Sequence, residues 1–200
     1  MTVRSAVDDS DIAALLAAAG RDDQNAWDLL VGRFNRLLWA IARSFRMDEA
    51  SAADAVQVTW LRLVENLDRI DNPEKLGGWL ATTMRRECLG QLRWARRERP
   101  SLPSTWLDDA ADEARPLDAA LLDDERDAAL WRVFATITER CQQLLRILMA
   151  TPPPSYVEVA AALDIPIGSI GPTRQRCLGQ LRRAAAADGV LSDADLRKRP

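Results

Sequence analysis

Apolar residues recur every three or four positions along most of the chain, and no stretch alternates apolar with polar residues as a half-buried strand would. The pattern predicts an all-α protein. A short helix runs from Asp11 to Ala19 and stops at Gly20. Asp22 or Asp23 can cap the next, whose apolar stripe is Trp27, Leu30, Phe34, Leu37, Leu38 and Ile41. A third opens at Asp48 or Ser51 and ends near Leu67, with Val56, Trp60, Leu63, Val64 and Leu67 as its inward stripe. The segment 71–78 (DNPEKLGG) is a loop with turn residues at both ends. A long helix then follows from about Gly78 to Arg99, stopped by Pro100.

Beyond it, Pro100, Pro103 and Pro116 stand among many acids with little periodicity, the composition of a linker. Leu121 to Met149 forms one or two helices, closed by the prolines at 152–154. Ser155 to Leu163 is a short helix, 164–168 a turn, and Ser169 to Ala187 a last helix. The expected architecture is two small helical domains, at 22–99 and 127–187, joined by a flexible acidic linker at 100–126. An N-terminal extension (1–21) and a frayed tail (188–200) flank them.

Composition narrows the function classes. Hydrophobic residues make up 48% of the chain, enough for real cores, and the 28% charged content is ordinary for a soluble protein. No apolar stretch reaches membrane-spanning length and the polar start MTVRSAVDDSD is unlike a signal peptide, so no membrane insertion and a cytoplasmic location are expected. Histidine is absent, which removes His-based triads, most zinc sites and the commonest general base. No Gly-rich phosphate loop is present. The three cysteines, Cys88, Cys141 and Cys177, are widely spaced inside helical patterns and read as reduced, mostly buried thiols. The expectation is a protein with no catalytic residues, no metal and no cofactor.

Charge carries the strongest signal. The net charge of −3 conceals two arginine-rich helices on either side of an acidic segment. The first has Arg85, Arg86, Arg93, Arg96, Arg97 and Arg99 against Glu87 and Glu98. The second, from Ile165 to Ala187, has Arg174, Arg176, Arg182 and Arg183 and no acid. Nine acids between 108 and 127 face only Arg115 and Arg126. Two cationic surfaces joined by a segment that avoids polyanions point to nucleic acid.

Each half adds detail. Residues 155–184 have the grammar of a helix-turn-helix: a short helix with Ala160, Ala161 and Ala162, a tight turn, and Ser169 placed to cap a basic helix. Ile170, Cys177, Leu178 and Leu181 share an inward face of that helix, and Thr173, Arg176, Gln180 and Arg183 an outward one. Arg174 falls toward the core side on an ideal wheel. In the first domain the arginines of the long helix span an arc of roughly 160°. Leu80, Met84, Cys88, Leu92 and Ala95 lie on the inward arc, while Trp79 and Trp94 flank the basic one. Aromatics beside cations suit opened or single-stranded nucleic acid. The preceding helix has a second apolar face, Val58 and Leu61 beside Asp54, Gln57 and Glu65, as a partner-binding helix would.

These segments resemble a known family. DDQNAWDLLVGRFNRLLWAIARSF, AADAVQVTWLRLVENLDRI and WLATTMRRECLGQLRWARR resemble region 2 of bacterial RNA polymerase sigma factors, and CQQLLRILMATPPPSYVEVAAALDIPIGSIGPTRQRCLGQLRR resembles region 4. The missing regions 1.1 and 3 match the extracytoplasmic-function (ECF) group. The resemblance implies a promoter-specificity subunit that binds core RNA polymerase through its β′ clamp and β subunit. Asp54, Gln57, Val58 and Leu61 match the clamp-docking segment. The loop 71–77, with Asn72 and Lys75, matches the one that receives a flipped base of the non-template single strand. Trp79, Arg85, Arg86, Arg93, Arg96 and Arg97 match the helix that holds −10 promoter DNA, and the helix from Ser169 the one that reads duplex at −35. Gly90, Gln91, Gly171 and Thr173 depart from residues common in relatives; for −35 contacts the candidates are Ser169, Pro172, Thr173, Arg174, Gln175 and Arg176. The acidic linker matches the segment that threads the polymerase's basic channels. An anti-sigma factor is a further expected partner. The alternatives are a helix-turn-helix regulator acting as a DNA-binding dimer and a metal-dependent nuclease, which would need clustered carboxylates.

Overall fold

The computed structural model describes residues 7–98 and 124–188. Among them are eight α-helices and no strand: α1 Val7–Ala19, α2 Gln24–Ser44, α3 Glu49–Asn66, α4 Leu76–Glu98, α5 Asp124–Thr136, α6 Glu139–Leu148, α7 Tyr156–Leu163 and α8 Ile170–Ala187. Short 3-10 turns at Leu67–Arg69, Pro73–Lys75 and Ile167–Ser169 complete the described elements. The all-α expectation holds. Helix α1 begins earlier than Asp11, and α5 begins at Asp124, inside the segment read as linker. Most of that linker, and the tail from 189, lie outside the described residues.

Local chemistry sets the helix starts. Asp23 caps α2 by accepting from the backbone N–H groups of Asn25 (2.9 Å) and Ala26 (3.3 Å). Asp48 caps α3, accepting from Ser51 N at 2.9 Å and Ser51 Oγ at 2.7 Å, and these bonds hold its carboxyl below the usual range. Ser155 and Glu158 form a reciprocal capping box at α7: Ser155 N and Oγ donate to Glu158 Oε2 at 2.6 and 2.8 Å, and Glu158 N donates to Ser155 Oγ at 3.3 Å. Asp164 ends α7 in the left-handed region, with φ of 55°. Ser169 does not cap α8. It has αR backbone angles and its hydroxyl donates to Pro166 O at 2.7 Å, closing the 3-10 turn instead.

Helices α2, α3 and α4 pack on one another, with α1 laid across α2 and the Pro73–Lys75 turn. Helices α5, α6 and α7 gather around α8. The two groups then dock: α4 packs extensively on α7, and α2 on α6. One continuous apolar core results, running from Ile12, Leu30, Leu38 and Ile41 through Leu63, Leu80 and Met84 to Leu144, Val159, Ile170 and Cys177. Full burial of each such leucine or isoleucine contributes about 1.5–3 kcal/mol. Thr59 is accommodated in this core because its hydroxyl donates to Ala55 O at 2.8 Å and lies 3.2 Å from Met84 Sδ.

Two further expectations need correction. Val64, assigned to the inward stripe of α3, is 52% exposed, because the helix buries the narrower set Ala52, Ala55, Val56, Thr59 and Leu63. Cys141 and Cys177 are joined as a disulfide between α6 and α8 rather than held as separate thiols. Both lie on inward faces, and packing of α6 on α8 brings their Cα atoms to 5.2 Å, within bridging distance. Cys88 is free and buried in α4, and burial pushes its thiol up to about 12.

Candidate nucleic-acid and partner interfaces

Helix α3 has a well-anchored inner face, which leaves its outer face free to present side chains. Asp54 and Gln57 are exposed, Val58 is half-buried and Leu61 is 59% exposed. Their spacing of three and four residues lines them up on one stripe. Val64 and Glu65 extend the surface, and Glu65 pairs with Arg62 at 3.0 Å. The result is an apolar strip bordered by carboxylate and amide, carried on a rigid helix.

At the next turn, Asn72 and Lys75 are both exposed, and Lys75 N donates to Asn72 O at 3.0 Å. Trp79 is half-buried and packs against the core, so its ring is not an open stacking platform. Trp94, by contrast, is 62% exposed.

The arginines of α4 divide into two sets. Arg86, Arg93 and Arg97 are exposed on a common stripe, next to Trp94. Arg85 points elsewhere: its guanidinium Nη2 lies 3.0 Å from Oδ2 of Asp164, in the turn between α7 and α8. The side chain of Arg96 lies outside the described residues.

On α8, Ile170 and Cys177 are buried and Leu178 and Leu181 pack against the core, as the wheel requires. Pro172, Arg174, Gln175 and Arg176 are exposed; Ser169 and Thr173 are half-buried. Arg174 therefore reaches solvent despite its position on an ideal wheel. Arg176 Nη2 donates to Thr173 Oγ1 at 3.3 Å, bracing one donor of this face. Thr138 Oγ1 lies 3.5 Å from Gln180 Oε1, tying the middle of α8 to the start of α6.

Sequence reasoning missed the residues that join the two groups. Besides Asp164, they are Glu158, held against Gly77, and a second seam. There Arg46 Nη2 donates to Gln142 Oε1 at 2.6 Å, Arg36 Nη1 to Thr151 O at 3.3 Å, and Arg146 Nη1 to Arg43 O at 3.3 Å. The paired glycines 77 and 78 were the available signal, since a Cβ on Gly77 would fall on the Glu158 carboxylate. Among the described residues no group of three or more Cys, Asp or Glu gathers as metal ligands would, and no helix is long and apolar enough to cross a membrane.

Residues 30–98, spanning α2 to α4, match the family Sigma-70 region 2. None of the curated proteins matches the sequence significantly. Among solved structures the chain is similar to CnrH in complex with the cytosolic domain of CnrY (TM-score 0.59, 21% identity, 89% of this chain and 99% of that one). It is also similar to the sigma factor RpoE of Bartonella quintana in complex with the anti-sigma factor NepR (TM-score 0.56, 22% identity, 80% of this chain and 98% of that one). The match thus falls on the helices that carry the apolar strip and the arginine stripe, and the chain shares the all-helical fold of these two solved structures.

Proposed function

We propose that this chain is an ECF-type promoter-specificity subunit, with no chemistry of its own, that brings core RNA polymerase to promoters and traps an opened strand. The observation that carries this reading is the position of the region 2 match. It covers the helices that display two chemically distinct faces, an acid- and amide-bordered apolar strip on α3 and an arginine stripe on α4.

On this reading Asp54, Gln57, Val58 and Leu61 dock on the polymerase clamp. Asn72 and Lys75 border the pocket for an unstacked non-template base, and exposed Trp94 offers a stacking surface beside the arginines. Arg86, Arg93 and Arg97, with Arg85 once freed, neutralise phosphates at the −10 element. Helix α8 enters a major groove at −35 with Pro172, Arg174, Gln175 and Arg176 foremost. Its exposed arginines supply donors for guanine edges or phosphates. A protein that would otherwise compete for polymerase continuously needs restraint, and an anti-sigma partner like that of the similar solved factor supplies it.

The test is promoter selection with reconstituted holoenzyme, followed by transcription from the selected sequences. Start sites that require this chain support the reading. Promoter-independent initiation, or tight specific duplex binding by a homodimer without polymerase, overturns it.

A further inference from the structure

We infer that Cys141 and Cys177 form a thiol–disulfide exchange site, through which a dithiol reductant and a hydroperoxide set how firmly α8 is held for reading DNA. This deepens the proposed −35 role of α8 and rests on it.

Position gives the pair its consequence. Cys177 lies on the buried face of α8, one residue from exposed Arg176 and three from exposed Arg174. Its bond to Cys141 ties that helix covalently to α6. A second polar tie between the two helices, Thr138 Oγ1 to Gln180 Oε1 at 3.5 Å, is long and weak. Helices α5 to α8 occupy residues 124–187, a size at which an apolar core alone is marginal. A cross-link there decides much of the order of α8. Severing it loosens the face that carries Pro172, Arg174, Gln175 and Arg176, so the oxidised form is the preorganised reader. A disulfide is otherwise out of place in a polymerase subunit, because a reducing compartment keeps thiols reduced and the disulfides formed there are mostly transient or sensing.

The two sulfurs are chemically unequal. Cys177 is fully buried, whereas Cys141 is 6% exposed and sits in the first turn of α6. Thr138 is exposed one turn from Cys141, and half-buried Gln180 stands one turn from Cys177, so the α6–α8 seam meets solvent close to the bond. A reductant thiolate bonds to Cys141 Sγ; the Sγ–Sγ bond breaks, and its electron pair leaves with Cys177, which takes a proton. The second sulfur of the reductant then closes the reductant's own disulfide and releases Cys141 as a thiolate, which the positive end of α6 stabilises. In the reverse direction the Cys141 thiolate attacks a hydroperoxide, whose O–O bond breaks to release an alcohol or water. Cys177 then attacks the resulting Cys141 sulfenic acid and expels water. The two thiols lose two electrons and two protons, and the hydroperoxide gains them.

The test uses the full chain, oxidised with hydrogen peroxide or reduced with dithiothreitol under native conditions before core polymerase is added. Thiols are counted by alkylation, and amide exchange of α8 is followed in the chain alone. Holoenzyme binding is then measured to a selected promoter and to one with its −35 element scrambled. The thiol count is expected to move reversibly between one and three with helicity retained, and reduced α8 to exchange faster. Reduction should lower the preference for the intact −35 element by about five-fold or more, the low end of ordinary coupling between sites. Cys141→Ala with Cys177→Ala should behave as the reduced wild type in both buffers, and Cys88→Ala should respond as the wild type does. A bond that resists dithiothreitol until the chain unfolds overturns the site, as does a reduced chain with unchanged α8 exchange. The coupling also falls if a promoter-binding holoenzyme keeps its −35 preference on reduction, or if the doubly substituted chain still follows the buffer. If α8 exchange follows the redox state while neither form supports promoter binding, the promoter-specificity reading falls and the exchange site stands.

Discussion

Arg46 donates a 2.6 Å hydrogen bond to the side-chain oxygen of Gln142, 96 residues away in sequence. The Gln142 amide nitrogen meanwhile donates to Ala135 O at 3.0 Å and Ile137 O at 2.8 Å, at the end of α5. One buried amide thus closes the α5–α6 turn and accepts from the other helical group. Gln142→Ala leaves two carbonyls and a guanidinium without this partner, and should destabilise the chain by about 1–3 kcal/mol. Gln142→Glu retains the acceptor for Arg46 but loses both donations, so it should cost nearly as much. Urea denaturation measures both, and a neutral Gln142→Glu would show that the turn-closing bonds contribute nothing.

The α3 strip separates stability from partner binding. Asp54, Gln57 and Leu61 are exposed and make no core contact. Asp54→Ala combined with Gln57→Ala should change unfolding free energy by less than about 0.5 kcal/mol. The same pair, and Leu61→Glu separately, should weaken binding to core polymerase at least tenfold, the loss of one good interface contact. Surface plasmon resonance on immobilised core gives the affinity. Undiminished binding in all these variants would remove the strip from the interface.

Helix positions were readable in the sequence because their causes are local. Asp23, Asp48 and the Ser155–Glu158 box cap helices whose apolar periods are plain. Docking of α7 on α4 was not readable, because a run of small apolar residues such as Ala160 to Ala162 fixes close approach without naming the partner. The wheel also grouped Arg85 with Arg86, although neighbours in a helix differ by about 100° and here face different surroundings. Cysteine pairing between α6 and α8 depends on a helix crossing that spacing alone does not specify.

Cys88 makes the chain sensitive to alkali. Its thiol is buried and shifted upward from 9.0 to about 12, so the fold favours the neutral form. The unfolded chain releases this proton near pH 9, the folded one only near 12. Its contribution is therefore complete below pH 9 and lost as pH rises toward 12. Asp48 works in the opposite direction: its carboxyl is lowered, so its share is present above about 4 and lost as the solution is acidified. Melting curves across pH should show the alkaline fall diminished in Cys88→Ala relative to the wild type. An identical alkaline slope in the two proteins would assign the fall to other groups.

The Cys141–Cys177 bond closes a loop with a sequence separation of 36 and ties the basic helix α8 to α6. Chain entropy for that loop length gives about 3–4 kcal/mol of stabilisation relative to the reduced chain. Mild reductant should lower the melting temperature. Thiol counting in denaturant should rise from one to three, since only Cys88 is free beforehand. A count of three before reduction would mean the pair is not bonded in solution.

Salt dependence separates the arginines by role. Arg86, Arg93 and Arg97 are exposed on one stripe and should bind phosphates without reading sequence. Replacing Arg93 or Arg97 by Ala in the holoenzyme should weaken all promoters by a similar factor. Each replacement should also reduce the log–log salt slope by roughly one. Replacing exposed Arg174 or Arg176 of α8 should instead change the ranking of −35 sequences if either donates to a base edge, by about 1–3 kcal/mol at the affected position. Holoenzyme binding to a promoter library at several salt concentrations distinguishes the two behaviours. A uniform loss from Arg174 and Arg176 with no change in ranking would reduce them to backbone contacts and shift base reading to Pro172 and Gln175.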